Sequence, residues 1–223
     1  MKTNSLLLAL ALALATPVLA DDKPKTLLAE AGKPIYAEAF SGSAIPEGWR
    51  AAKGKWEPGD GALKGTEVKA DMHGAAIRKP VKFKDVVIAF DVKLDGAKMA
   101  TFSINDSKEH VARMLFNATG FTVQKDDHDH DGPDKAIVFG KVAAPLKAGE
   151  WHSAVIEIVG DTMLGTLDGQ NATFGSAELI ATEKANIGLT VAGESASFRN
   201  LRMWEASPNK EWAATKAKLG AKK

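Results

Sequence analysis

From Ile35 to Glu205 the chain alternates apolar and polar residues with a period of two. Residues 85–94 show this best. Val86, Ile88, Phe90, Val92 and Leu94 fall on one face, and Asp85, Val87, Ala89, Asp91 and Lys93 on the other. That period belongs to a β-strand, so the stretch predicts a long strand with its first set of residues in a core. Similar runs occupy 101–105, 111–116, 120–125, 136–140, 151–159, 185–191 and 196–204. Gly, Asp, Asn and Pro separate them. Asp60-Gly61, between Trp56 and Leu63, predicts a hairpin. Asp168-Gly169, between Thr162–Leu167 and Ala172–Phe174, predicts another, because Asp-Gly suits a type I′ turn. So many short strands without long amphipathic helices between them predict an all-β fold, a two-sheet antiparallel β-sandwich. Parallel α/β is excluded because the crossover helices are missing.

The two ends read differently. Lys2 precedes an unbroken run of Leu and Ala from Leu6 to Ala15, Pro17 ends it, and Val18 and Ala20 place small residues before Asp21. This is the pattern of a cleaved signal peptide over 1–20, and the run is too short to span a bilayer. An exported protein, periplasmic or secreted, is expected, with no membrane-spanning segment. Residues 21–34 form a lead-in and 35–205 the sandwich domain. Residues 206–223 form a short C-terminal helix and basic tail, with Ser207 as N-cap and Pro208 at the first helical position. Removing Lys2 from the 29 basic residues leaves 28 to balance 28 acidic ones, which gives no reason to expect nucleic acid as a partner. Cysteine is absent, so stability rests on the core or on a bound ion rather than on disulfides.

Several motifs then form a family pattern. Phe40-Ser41-Gly42, Gly48-Trp49-Arg50, Trp56 and Asp60-Gly61-Ala62-Leu63 open it. Gly149-Glu150-Trp151-His152, Leu167-Asp168-Gly169, Gly188-Leu189 and Ser197-Phe198-Arg199-Asn200-Leu201 close it. Over roughly 35–205 the chain resembles the 3-keto-disaccharide hydrolase (3-keto-glucoside lyase/hydratase) domains, which are jelly rolls of the concanavalin A-like lectin/glucanase type. The resemblance implies a bacterial exported protein and a carbohydrate or glycoside ligand. In the middle the chain departs from the family's Asn-Ser-Gly followed shortly by Arg, and reads Phe102-Ser103-Ile104-Asn105, then His110 and Arg113. No catalytic residue is carried over.

Two clusters bear chemistry. Residues 126–134 pack five carboxylates and two imidazoles into nine positions. Asp127, Asp129, Asp131 and Gly132 match the first half of a calcium loop, in which alternate carboxylates converge on one hard cation. Val138 stands where an EF-hand needs its bidentate Glu, so a complete EF-hand is excluded. Calcium is the first expectation. His128 and His130 would suit zinc or another transition metal. The bland alternative is a solvated acidic loop between Lys125 and Lys135. Asn105, Asp106, His110 and Arg113 form the second cluster, where the guanidinium fork of Arg113 suits sugar hydroxyls or a carboxylate. Asn105, His110 and Arg113 are the expected ligand-binding set, and the bland alternative is an Arg113 paired with a neighbouring acid. Trp49, Trp56, Trp151 and Trp204 could stack on sugar rings but are expected in the core. Three functions follow: a carbohydrate-binding or cell-envelope jelly roll with a metal-binding loop, a hydrolase or lyase acting on 3-keto-glycosides with metal assistance, or a protein-interaction module.

Overall fold

The computed structural model describes residues 23–128 and 132–220. The expected signal peptide and the tip of the acidic loop lie outside them. In chain order the strands are β1 (Ala29–Glu38), β2 (Arg50–Lys53), β3 (Lys55–Gly59), β4 (Ala62–Thr66), β5 (Ala75–Phe83), β6 (Val86–Asn105) and β7 (His110–Asn117). They continue as β8 (Gly120–Lys125), β9 (Ile137–Ala143), β10 (Trp151–Val159), β11 (Thr162–Leu167), β12 (Asn171–Ser176) and β13 (Lys184–Pro208), before helix α1 (Trp212–Gly220).

Two long antiparallel strands, β6 and β13, run side by side through both layers of a sandwich. Their outer halves pair with β10 and β1, and β11 and β12 complete that layer. Their other halves pair with β7 and β5, and β8, β9 and β2 complete the second layer. The β3–β4 hairpin attaches at Ser195–Phe198, where the two layers meet. The layers touch through close backbone approaches. A Cβ at Gly165 would meet Val123 and Met114, and one at Gly175 would meet the Phe139 ring. The expected two-sheet antiparallel sandwich is therefore the fold.

Val86, Ile88, Phe90, Val92 and Leu94 enter the main core as the alternation predicts, while Val87 and Ala89 face the other way. There they join Trp204 in a smaller cluster covered by Ala29 and Ala31 of β1. Asp60 and Gly61 both have positive φ in a two-residue loop, the conformation of the predicted type I′ turn. Asp168 and Gly169 also have positive φ, in a loop one residue longer. Trp49, Trp56 and Trp204 are buried as expected. Trp151 is not: it is half-buried on the outer face of the first layer, with Arg199 4.2 Å and Lys93 5.1 Å from its ring centre.

Three expectations need correction. The runs at 85–94 and 101–105 are one strand, and so are 185–191 and 196–204, because Gly96 and Gly193 bend the strands by register shifts rather than ending them. The last helix starts later than predicted. Pro208 still belongs to β13, and Asn209 rather than Ser207 caps the turn, its Oδ1 accepting from Glu211 N at 2.9 Å. Trp212 of α1 then meets Phe174 edge-on at 5.1 Å, which seats the helix against the edge strand β12.

The start of β1 is fastened by a buried carboxylate. Glu157 has no exposed surface, and its Oε2 accepts from Leu28 N and Ala29 N, both at 2.8 Å, with Leu27 N at 3.0 Å. Burial pushes this carboxyl's pKa up, against the pull of the three N–H donors. A Glu157→Gln variant removes the charge and replaces one of the two accepting oxygens by an NH2 donor among those N–H groups. It should lose about 3 kcal/mol of unfolding free energy, measured by urea denaturation. Unchanged stability would show that the N-terminal strand is held by its apolar contacts instead.

Candidate functional site

Alternation along the inner half of β6 sends Ala100, Phe102 and Ile104 into the core and Thr101, Ser103 and Asn105 to the outer face of the second layer. Register carries that face across the sheet. Ser103 lies between Arg113 of β7 and Gly188 of β13. Gln124 follows beyond Arg113, and Arg78 and then Arg50 follow beyond Gly188. In the next row Thr101 lies between Leu115 and Thr190. At the end of the strand Asn105 lies between His110 and Asn186. Thr101, Ser103 and Asn105 are all under 5% exposed and so form a polar floor. Gly188 brings no side chain to that floor, and its neighbours pack over its bare backbone. A Cβ there would stand 2.5 Å from Ser103 Oγ and 3.5 Å from Arg78 Cγ.

The two clusters distant in sequence meet at the Asn105 end. Asn105 Nδ2 donates to Asn186 Oδ1 at 2.7 Å, while its Oδ1 bonds to His110 Nδ1. Asp106 Oδ1 accepts from the backbone N–H groups of Lys108 (2.7 Å) and Glu109 (2.9 Å), which closes the turn into β7. Its Oδ2 meets His128 Nε2 from the acidic loop at 2.8 Å. Burial pushes the Asp106 carboxyl up, but the two N–H donors and His128 outweigh it and hold its pKa below the ordinary carboxylate value. Asp126 bridges the same elements: its Oδ1 accepts from Gln124 Nε2 and its Oδ2 lies 2.8 Å from Arg113 Nε.

The stem of the loop is fixed from below. Lys125, only 3% exposed, holds the Asp134 carboxylate and donates to Lys135 O at 2.9 Å. Asp134 Oδ2 accepts from His128 N at 3.2 Å, which aims the His128 ring at Asp106. The Lys125 bond holds the Asp134 carboxyl below its ordinary pKa.

The structure therefore joins Asn105 and His110 directly, places Arg113 in the adjoining row, and adds Asp106 and His128. Arg113 does pair with an acid, Asp126, yet keeps 28% of its side chain exposed on the face. Of the five expected metal ligands, Asp129, His130 and Asp131 lie outside the described residues. Asp127 stands 3.8 Å from Lys135 Nζ. Among the described residues no three His, Asp or Glu side chains form a metal-binding group. His73 lies away from this cluster, exposed, with Nδ1 at 2.7 Å from Gly74 O. Arg50, Arg78, Gln124, Asn186 and the role of Gly188 escaped the sequence reading. The alternation Ala76-Ile77-Arg78 was the available signal that Arg78 faces outward from a strand.

The sequence profile of a family described as the 3-keto-alpha-glucoside-1,2-lyase-like domain matches residues 36–203. No curated protein sequence matches the chain. Among solved structures, a protein of unknown function with a galectin-like fold from Bacillus subtilis superposes with a TM-score of 0.64 at 11% identity, over 82% of this chain and 100% of that one. The carbohydrate-binding module CBM66 from Bacillus subtilis gives 0.56 at 17% identity, over 71% and 96%. A Bacillus licheniformis β-glucanase gives 0.57 at 10%, over 79% and 99%. At these identities the likeness is one of fold, the jelly-roll β-sandwich.

The two ion pairs at the junction differ in how deeply their acids are buried, so breaking them should differ in cost. Asp126 is 4% exposed, and Asp126→Ala strands the Arg113 guanidinium and the Gln124 amide, for a loss on the order of 2 kcal/mol. Asp106 has 14% of its side chain exposed against 6% for Asp126, and His128→Ala leaves its carboxylate two backbone N–H donors, so this change should cost under about 1 kcal/mol. Urea titration of both variants checks this ordering, and a reversed order would make the His128 bond the main fastening of the loop.

Proposed function

The chain belongs to the 3-keto-alpha-glucoside-1,2-lyase-like domain family, and from that premise we propose that it is an exported carbohydrate-binding jelly roll whose ligand lies over Asn105, His110 and Arg113. The observation that carries this reading is the outer face of the second layer. Hydroxyls, amides and a guanidinium converge there in adjoining rows of the sheet. A saccharide offers donors and acceptors on every side, and such a face can answer them. A carbohydrate-binding module and a β-glucanase among the structural relatives support the choice of ligand class. The leader-like residues 1–20 support export.

The test is calorimetric titration with a glycoside panel that includes trehalose and a 3-keto-glucoside. Arg113→Lys keeps the charge and loses the fork, so it should weaken binding about tenfold with the circular dichroism spectrum unchanged. No binding across the panel, or equal affinity in the variant, would overturn the site.

A second reading, turnover of a 3-keto-glycoside, is favoured by the Asp106–His128 pair. A 1,2-elimination removes a proton from the carbon beside a ketone and expels the oxygen substituent of the next carbon. Asp106 accepting from Nε2–H would leave His128 Nδ1 as the basic nitrogen for that proton. Release of the aglycone during the same titrations would select this reading.

The acidic loop is proposed to bind a cation, calcium before zinc, through Asp127, Asp129 and Asp131, with His128 and His130 as further donors. The fit favours a hard ion. His128 Nε2 is already engaged by Asp106, and the remaining side-chain donors expected in the loop are mostly carboxylates. Calcium should be found stoichiometrically by metal analysis, and chelation should lower the melting temperature by several degrees, an effect absent in Asp129→Ala. A wild-type protein insensitive to chelator would leave the loop as solvated surface.

A further inference from the structure

We infer that the carbohydrate face carries a dedicated oxyanion site at Arg50 and Arg78, so that its ligand is a saccharide bearing an acidic group. The inference rests on the carbohydrate reading above and adds the charge of the ligand to it. Arg50 and Arg78 are direct cross-strand partners between β2 and β5, and both are exposed. Like charges placed directly opposite on a sheet repel and destabilise the pair. A neighbouring acid would relieve this, yet neither guanidinium has a hydrogen bond or ion pair with any other described residue.

Other basic groups of this protein show the contrast. Arg199 is held by Asp91 at 3.0 Å, Arg113 by Asp126 and Lys125 by Asp134. The chain has acids enough for this, since acidic and basic residues nearly balance. The two unpaired arginines also lie in the row of the polar floor. Arg78 Cγ lies over Gly188, and Ser103 and Arg113 continue the row beyond it. A sugar ring seated over Gly188 would therefore present a substituent to Arg78 and Arg50. Two guanidinium groups on adjacent strands favour a carboxylate, sulfate or phosphate over a neutral hydroxyl, because only the oxyanion offers both the paired acceptors and the opposite charge. The repulsion between them is the cost that an arriving anion cancels.

The experiment compares trigalacturonic acid with its methyl ester, which has the same ring and no charge, by titration calorimetry at low salt. Inorganic sulfate is followed in parallel by thermal melting. The acid should bind at least about tenfold more tightly than the ester, and Arg78→Gln should bring the ratio of the two affinities close to one. Sulfate should raise the melting temperature of the wild type and not of the Arg50→Gln, Arg78→Gln double variant, which without ligand should be as stable as the wild type or more so. Acid and ester bound equally well would overturn the oxyanion site and leave the carbohydrate reading standing. A sulfate effect that survives in the double variant would also overturn it. Sulfate stabilisation lost in the double variant, with neither saccharide bound, would support the oxyanion site and count against the carbohydrate reading.

Discussion

Everything in this molecule hangs on the antiparallel pairing of β6 with β13. The ladder runs from Asn105↔Asn186 at one end to Val86↔Glu205 at the other, and it serves both layers. Because side chains alternate along a strand, a slip of one residue anywhere in the ladder would exchange core and surface on both sheets. Phe102 and Ile104 would leave the core, and Ser103 and Asn105 would enter it. The register shifts at Gly96 and Gly193 prevent this from being a rigid constraint, since they let the ladder turn between the layers while keeping apolar faces inward on each. The position of the polar floor is thus decided by the same pairing that builds the core.

Much of this was legible in the chain, and the parts that were not share one cause. Period-two alternation at 85–94 and the Asp60-Gly61 turn are local signals, and both survive folding because neighbours in sequence determine them. Strand continuity is not local. Asp95-Gly96 and Gly193-Glu194 carry turn chemistry, but flanking strands already in register absorb each as a bend. Helix capping failed for a related reason. Ser207-Pro208 offers a sound N-terminus in isolation, yet pairing with Ala29 keeps Pro208 in the strand and passes the cap to Asn209. Tertiary pairing overrode propensity there. The site shows the same limit. His128 and Asp106 were each singled out by residue type, and only the folded loop places them 2.8 Å apart. Arg50 stood out only as part of a turn motif and Arg78 not at all, because two exposed arginines 28 positions apart acquire a joint meaning only as cross-strand neighbours.

The outer face of the second layer also argues for function by what it costs. A glycine in the middle of a strand weakens it, because it contributes no packing and loses the most backbone freedom on folding. Gly188 sits on β13 between β5 and β6, away from any edge, and its φ does not lie in the left-handed region that only glycine favours. Backbone conformation therefore does not require it. Packing favours it, because a Cβ in the present arrangement would stand 2.5 Å from Ser103 Oγ and 3.5 Å from Arg78 Cγ. Ser103 in turn is a small polar residue on a central strand, where a β-branched apolar residue would hold the sheet better. Two neighbouring central positions thus give up sheet stability for a row in which a hydroxyl and an arginine stem pack over bare backbone. That is the arrangement to expect where polar groups are held at fixed places on a sheet face rather than spread over it to meet water.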